Sequence, residues 1–369
     1  GHINPQAGEK PVLTIDMSRM NQLLNLDRDS QLATFGAGTA GPELEQQLQS
    51  EGYTLGHFPQ SWELSTVGGW VASRSSGQQS MRYGRIEQMF AGGTIETQAG
   101  TLDIPTIPAS SAGPDLREVI MGSEGRMGII TQVKMRVTPL PGKESFHVVF
   151  FPSWSQGAAA ARQLAQDKVQ LSMVRLSNEM ETMTLLLTGD PNTIAELDTH
   201  LAANGIGNGR VMMTLGVTGS TRQCEAAAAI ARDVCAAHGG VEAADQLGKN
   251  WAHGRFSAPY LRDPLLAAGF VVDTMETAVD WGSVDSTMGL VEGAIRSAAE
   301  AEGVKVHVYT HLSHVYSQGS SIYTTYMFCC AEDYQATLQR WTRFKSAGAE
   351  AIVSCGGTIS HQHGVGEDH

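Results

Sequence analysis

Two histidines, His361 and His363, stand two residues apart in the glycine-rich stretch GGTISHQHGVG, residues 356–366. Imidazole changes protonation state near neutrality, so such a pair suits hydrogen bonding or proton transfer at a reacting group, provided the backbone holds it in place. Three more, His307, His311 and His314, lie in VKVHVYTHLSHVY, and Tyr309, Tyr316, Tyr323 and Tyr326 share the same region. In a strand His307 and His311 would share one face and His314 the other, whereas a tetrahedral metal site needs converging ligands; no metal is expected. Strand tyrosines ordinarily pack the ring and leave the hydroxyl at a polar rim. Arg262, in APYLRDP, can grip a phosphate or carboxylate through parallel N–H bonds or simply pair with Asp263, and Arg255 is a second choice. Glu276, in DTMET, reads as a pocket carboxylate or a capping residue. There is no G-x-S-x-G elbow and no Cys/His spacing for a thiol nucleophile, which argues against a hydrolase.

A second kind of chemistry lies in glycine-rich segments. STVGGWVASRSSG, residues 65–77, and MGSEGRMGIIT, residues 121–131, can each bring backbone N–H groups and hydroxyls close to an extended ligand, or serve only as surface loops. Two such segments in one domain favour a long cofactor. GAGTAG, residues 36–41, matches a dinucleotide fingerprint by letter only: its strands are joined by a short polar turn, and no parallel βαβ unit follows.

The elements that must position these groups come in two rhythms. PVLTIDMS and QLATFGAG read as strands around the polar turn NLDRDS, PELEQQLQSEG as a helix ended by Gly52, and IIT with VKMRVTP as strand again. PLPG closes this part near residue 142. Beyond it FHVVFFPS, VQLSMVRLS, GRVMMTLGVTG, VKVHVYTHLSHVY and SSIYTTYMFCC read as strands. SQGAAAARQLAQD, TRQCEAAAAIARDVCAAHGG, STMGLVEGAIRSAAEAEG and YQATLQRWTRFKSAG read as helices, and AIVSCGG as a last strand. A sheet with helices grouped on one side, in βαβ-like units, is the expectation for this part. The division is 1–142 and 143–369, both α+β.

Composition narrows the partners. A net charge of −13, from 25 Lys+Arg against 38 Asp+Glu, repels phosphate backbones and argues against nucleic acid. No apolar run reaches the roughly 20 residues of a membrane span, and the first residues lack an apolar signal core. The five cysteines, odd in number and without a C-x-x-C pair, read as reduced thiols of a cytoplasmic protein.

PQSWELSTVGGWVASRSSGQQSMRYGRIEQM and GPDLREVIMGSEGRMGIIT resemble the FAD-binding domain of the vanillyl-alcohol oxidase flavoprotein superfamily. FSAPYLRD, VVDTMETAVDW, GSSIYTTYMF and GGTISHQHGVG resemble the branch containing alkyldihydroxyacetonephosphate synthase and its bacterial relatives. The resemblance implies a partial FAD-binding domain over 1–142 and a substrate, or cap, domain over 143–369 with an antiparallel sheet flanked by helices. It also implies FAD as cofactor, held by Pro59, Ser65, Thr66, Gly68, Gly69, Ser75, Gly77, Tyr83, Glu124, Gly125, Gly128 and Ile130. Arg262 would hold the substrate anion, while Tyr323, His361 and His363 would be catalytic. A proton-handling phenol, with its ordinary pKa near 10, would need an electropositive pocket, which Arg262 and the histidines could supply.

The implied reaction exchanges an acyl for an alkyl group on a dihydroxyacetone phosphate ester through a flavin adduct. The alternative is oxidation of a 2-hydroxy acid such as glycolate or D-lactate. Neither pattern is complete, since Gln362 stands where the synthase has a middle histidine and the oxidising relatives an acidic residue. The partner is thus a small phosphorylated or carboxylate substrate, with room for peripheral membrane association and for a homodimer. The family's chains extend past both ends of this one, with Gly1 and His2 resembling the edge of a pyrophosphate-binding subdomain; a truncated, catalytically silent fragment is the third reading.

Overall fold

The structure, a computed structural model, describes residues 13–367 and 369. The chain forms two units: the first runs as far as Leu140 and resumes at Gln362, and the second comprises Pro141–His361.

The first strands among the described residues form a hairpin. Strands β1 (Leu23–Asp27) and β2 (Leu32–Gly36) pair antiparallel across a turn in which Gln31 adopts a positive φ of 51°. The helix Gly41–Ser50 follows, with Pro42 in its first turn, where no intrahelical N–H is lost, and Gly52 just past its end at φ 82°. Then come β3 (Tyr53–Thr54), β4 (Phe90–Thr97), β5 (Gly100–Ile104), β6 (Ile129–Arg136) and β7 (Thr138–Pro139). They build a five-stranded antiparallel sheet in the order β1-β2-β6-β4-β5 and a small β3-β7 pair. Alternation along β6 turns Val133 and Met135 into a core with Phe35, Leu44, Leu48, Trp70, Ile86 and Phe90, each worth about 1.5–3 kcal/mol of burial.

The second unit is built on β8 (Lys143–Phe151), β9 (Met173–Ser177), β10 (Val211–Gly219), β11 (Val241–Glu242), β12 (Phe270–Asp280), β13 (Val306–Leu312) and β14 (Gly319–Cys329). The order is β11-β8-β10-β9-β13-β14-β12, antiparallel at every pairing. On one face Met275, Val308, Tyr326 and Phe328 pack against Val291 and Ile295 of helix Val284–Ala301 and Phe344 and Ile352 of helix Tyr334–Ser354. Helix Trp154–Gln166 joins that face, where Gly157 lies close enough to Leu176 and Val211 that a Cβ would meet their methyls at 2.8 and 3.0 Å. On the other face Val148, Phe150 and Met212 are covered by Leu197 and Leu201 of helix Pro191–Ala203, and Phe146 by Trp251.

Three readings of the sequence change. Leu13–Met17 is not a strand: Asp16 accepts from Ser18 N at 2.8 Å and Met20 N donates to Met17 O, a local turn that competes with a ladder, and Leu13 and Ile15 stay exposed. Pro11 and Val12 of that stretch, with Gly1 and His2, lie outside the described residues. The strand is instead β1, Leu23–Asp27, which runs into the supposed polar turn as far as Asp27. Ala351–Ser354 continues helix Tyr334–Ser354, which runs through Gly348, a buried glycine packed against Met275, and ends before Gly356 at φ 72°, with Ile352 filling a core position on the helix's buried face. The βαβ-like units are split ones, since β8 and β9 run parallel on either side of β10 and β12 and β13 on either side of β14, and helices cover both faces of the sheet rather than one.

Candidate functional site

The central strands of the second unit present a polar row opposite their apolar face. Register aligns Ser177 with His311, His311 with Tyr323, and Tyr323 with Glu276, so four neighbouring strands bring these side chains side by side. The alternation explains it: Val308, Tyr326 and Met275 face the helices, and the odd-numbered His311 and Tyr323 with the even-numbered Glu276 face away. Tyr323 stacks on His311 with ring centroids 4.8 Å apart and planes 16° from parallel. Its hydroxyl bonds Thr274; burial, with Glu276 and Asp273 nearby, pushes the phenol well above its ordinary range. The electropositive setting expected for Tyr323 is therefore not what the second unit provides.

Beside this row lies a charged cluster that sequence reasoning missed. Arg175 on β9 donates to Glu181 Oε1 at 2.8 Å, and the same oxygen is 2.9 Å from His311 Nδ1. Burial opposes ionisation of Glu181, yet His311 and Arg175 outweigh it and hold its carboxyl down at about 2. Burial, followed by Arg175, lowers the His311 pKa below its ordinary value, with Glu181 acting in the opposite direction. No local spacing marks these residues, since the contact is made by register between β9 and β13 and by Asn178, which caps helix Glu179–Leu187 and so aims Glu181 inward.

At the end of the row stands His361. Its Nδ1 is 3.0 Å from Glu276 Oε1 and its Nε2 is 2.6 Å from the Tyr316 hydroxyl. His314 lies against it, ring centroids 5.2 Å apart, and Glu276, His314 and His361, all buried, offer ligand atoms within 4.8 Å of one another. The three histidines of the β13 region thus part company: His307 bonds Thr184 Oγ1, His311 bonds Glu181, and His314 joins His361. Sequence reasoning left Glu276 open between pocket and cap; it is 1% exposed and partnered with His361.

Arg262 starts a short helix, Arg262–Ala267, with its guanidinium half exposed and 3.8 Å from Asp273. Burial works against charge on Asp273, but Lys345 and Trp341 hold its carboxyl below the ordinary range. Asp273 also accepts from Tyr326, on the face of β12 turned to the helices, whereas Tyr323 and Glu276 lie on the other face. Arg255 stacks on Phe146 and Phe256 and lies 3.9 Å from Glu144.

In the first unit the two glycine-rich segments meet. Gly122 N donates to Val71 O and Glu124 N to Ala72 O, and Arg74 pairs with Glu118. Thr66 Oγ1 caps Gly69 N, and Ser65 accepts from Trp70 Nε1 at 2.7 Å. The terminal stretch joins them: the Glu124 carboxylate accepts from Val365 N and, at 2.8 Å, from Gly366 N. His363 belongs to this stretch and is half-buried. Gly68 and Gly77 are glycines for packing, because a Cβ would lie 2.7 Å from Ala37 and 2.6 Å from Phe58 N. Pro59, Ser75 and Ile130 are buried as well, whereas Ser65, Thr66, Tyr83 and Gly128 are half-buried. Gly69 and Gly125 are exposed; a Cβ would meet only Thr66 Oγ1 at 3.3 Å in the first and nothing in the second. Open main chain flanked by hydroxyls fits a long cofactor lying along this surface.

Residues 140–369 match the family of FAD linked oxidases, C-terminal domain, and residues 2–103 match an FAD binding domain. Alkyldihydroxyacetonephosphate synthase of Dictyostelium discoideum is 30% identical over 377 residues, covering 100% of this chain and 61% of that protein. A solved alkyldihydroxyacetonephosphate synthase structure is 29% identical with a TM-score of 0.83, over 94% of this chain and 63% of that one. D-lactate dehydrogenase (cytochrome) 1, mitochondrial, of Saccharomyces cerevisiae is 30% identical over 184 residues, 48% of this chain and 30% of that protein. The chain spans about three fifths of the length of the synthases it matches. Mixed helices and antiparallel sheets match the vanillyl-alcohol-oxidase-type FAD-binding fold. No helix among the described residues is long and apolar enough to cross a membrane.

Proposed function

Because the chain belongs to the FAD-linked oxidase family, whose cofactor is FAD, we propose that it is part of an enzyme that makes an alkyl ether of dihydroxyacetone phosphate. An acylated dihydroxyacetone phosphate and an alcohol would give the alkyl ether and a free fatty acid, with no net redox. The observation that carries this reading is extent: the synthase likeness runs through the whole chain, whereas the D-lactate dehydrogenase likeness stops at 48% of it.

FAD would lie along Gly69 and Gly125, with Ser65, Thr66, Tyr83 and Gly128 at its edges and Pro59, Gly68, Ser75, Gly77 and Ile130 supporting the cradle from behind. When bound, it supplies the electrophilic, redox-active ring. Glu124 holds the segment carrying His363 by its backbone, and so fixes where that histidine stands. Arg262 would grip the substrate phosphate, exchanging its 3.8 Å contact with Asp273 for a shorter, charge-assisted one. His361, oriented by Glu276, would hold or move a proton at the reacting end. Tyr323, kept protonated by burial, is suited to donate its hydrogen to a substrate oxygen.

The two reaction classes separate on anaerobic mixing of the FAD-loaded, full-length protein with each substrate. Acylated dihydroxyacetone phosphate should perturb the flavin spectrum and, with alcohol present, yield ether without an electron acceptor. Bleaching by glycolate or D-lactate, reversed by an acceptor, would replace this reading by 2-hydroxy acid oxidation. Arg262→Ala is expected to raise KM by about 10- to 100-fold with kcat little changed, the loss of one charge-assisted hydrogen bond. Tyr323→Phe should lower kcat with KM and flavin content preserved; steady-state kinetics on the two variants checks both.

A further inference from the structure

Tyr316 is fixed from three sides. Its N donates to Gly319 O at 2.8 Å, its carbonyl accepts from Trp281 Nε1 at 3.0 Å, and its hydroxyl meets His361 Nε2 at 2.6 Å. The turn joining β13 to β14 is thereby pinned to the edge of β12, where Gly319 packs so closely that a Cβ would fall 2.0 Å from Val279 O. Tyr316 also borders a cavity of about 460 Å³ with Asp280, Ser283, Gln318 and Cys355, polar and roomy enough to hold waters. His361 is buried, and on its far side Glu276 is the immediate cross-strand neighbour of Tyr323.

We propose that Glu276, His361 and Tyr316 form a proton relay between the polar row around Tyr323 and water in this cavity. It deepens the reading above, because it takes that row as the reacting face. With the Glu276 carboxylate facing Nδ1 and the Tyr316 hydroxyl facing Nε2, the relay takes as its resting arrangement a ring that donates Nδ1–H to Glu276 and accepts the Tyr316 hydroxyl at Nε2. To deliver a proton, Tyr316 passes its hydrogen to Nε2, Nδ1–H passes to Glu276, and cavity water reprotonates the phenolate. Glu276 then gives the proton to the substrate. One proton has moved inward, and the ring is left as the Nε2–H tautomer. The reverse sequence carries one proton out and restores Nδ1–H. Tyr323 takes no part in the transfer; it lies beside the inner end of the path.

The test uses the FAD-loaded protein labelled with 15N-histidine. The His361 resonances should report Nδ1–H as the resting tautomer, and Glu276→Gln should shift the balance towards Nε2–H; a resting Nε2–H tautomer in the unaltered protein overturns the relay, whatever the substrate is. Tyr316→Phe should lower turnover by about 100-fold, with KM and the flavin spectrum unchanged, and added imidazole should restore rate in proportion to its concentration. A merely structural tyrosine would give no such rescue. Unchanged turnover in Tyr316→Phe, or a loss that imidazole does not relieve, also overturns it. If no candidate substrate turns over, the ether-forming reading falls, and the tautomer measurement still decides the relay.

Discussion

Replacing His361 with alanine is expected to lower turnover by about 10²- to 10⁴-fold, the span of a general acid–base residue. Its imidazole is 7% exposed and touches Glu276 through one nitrogen and Tyr316 through the other, so a single truncation removes both contacts. The Glu276 carboxylate would lose a donor in a place water barely reaches, a cost of about 1–3 kcal/mol in stability. His361→Gln separates the two effects, since an amide can still donate to Glu276 but cannot titrate in the working pH range. It should fold nearly as well as the parent by denaturant unfolding and remain as slow as the alanine variant. A glutamine variant with parental kcat would remove His361 from the chemistry.

The largest effect on stability is expected at Glu181. Glu181→Ala leaves Arg175 and His311 without the carboxylate they share, and breaking one side of a buried pair costs about 3–5 kcal/mol. The pH dependence has a defined sign. Glu181 has its native pKa depressed to about 2 from 4.5, so its contribution is fully present above about 4.5 and disappears as pH falls through about 2. His311 acts in the same direction: burial lowers its pKa, so below 6.5 the unfolded chain takes up a proton that the native ring resists. Denaturant midpoints between pH 7 and pH 3 should fall steeply in the parent, and less steeply in Glu181→Ala below pH 4.5. Equal slopes would mean that Glu181 does not carry the acid dependence.

What the amino acids announced and what they concealed follow physical lines. Helices Gly41–Ser50, Trp154–Gln166 and Thr221–Ala237 are legible because capping or stop residues frame periodic apolar positions: Pro42 and Gly52, Ser153, and Ser220 with Gly239. Strands β13 and β14 are legible from their β-branched and aromatic runs. Leu13–Met17 deceives because alternation alone cannot reveal that Asp16 folds the backbone onto Ser18. Ala351–Ser354 deceives for the opposite reason, a β-rich run annexed by a helix already propagating into it. Within the site, His361, Tyr323 and Arg262 stand out by residue type and motif. Arg175 and Glu181 do not, because strand register rather than spacing brings them to His311. The choice of Tyr316 over Tyr323 as the partner of His361 likewise depends on the turn after β13, which no periodicity predicts.

The two backbone hydrogen bonds that Glu124 accepts join residues 241 and 242 positions apart. Synthesis at roughly 5–20 residues per second places the arrival of Val365 and Gly366 roughly 10–50 s behind that of Glu124. Over that interval the first unit lacks the segment that resumes at Gln362, while Pro141–His361 emerges with all its own strands in hand. Closing a flexible loop of that length would cost about 5 kcal/mol in chain entropy. A second unit that has already folded replaces most of that loop by a rigid body with fixed ends, and the cost falls. The Glu124 contact can therefore form only after Pro141–His361 has been synthesised, and it is made at lower entropic cost if that unit has folded first.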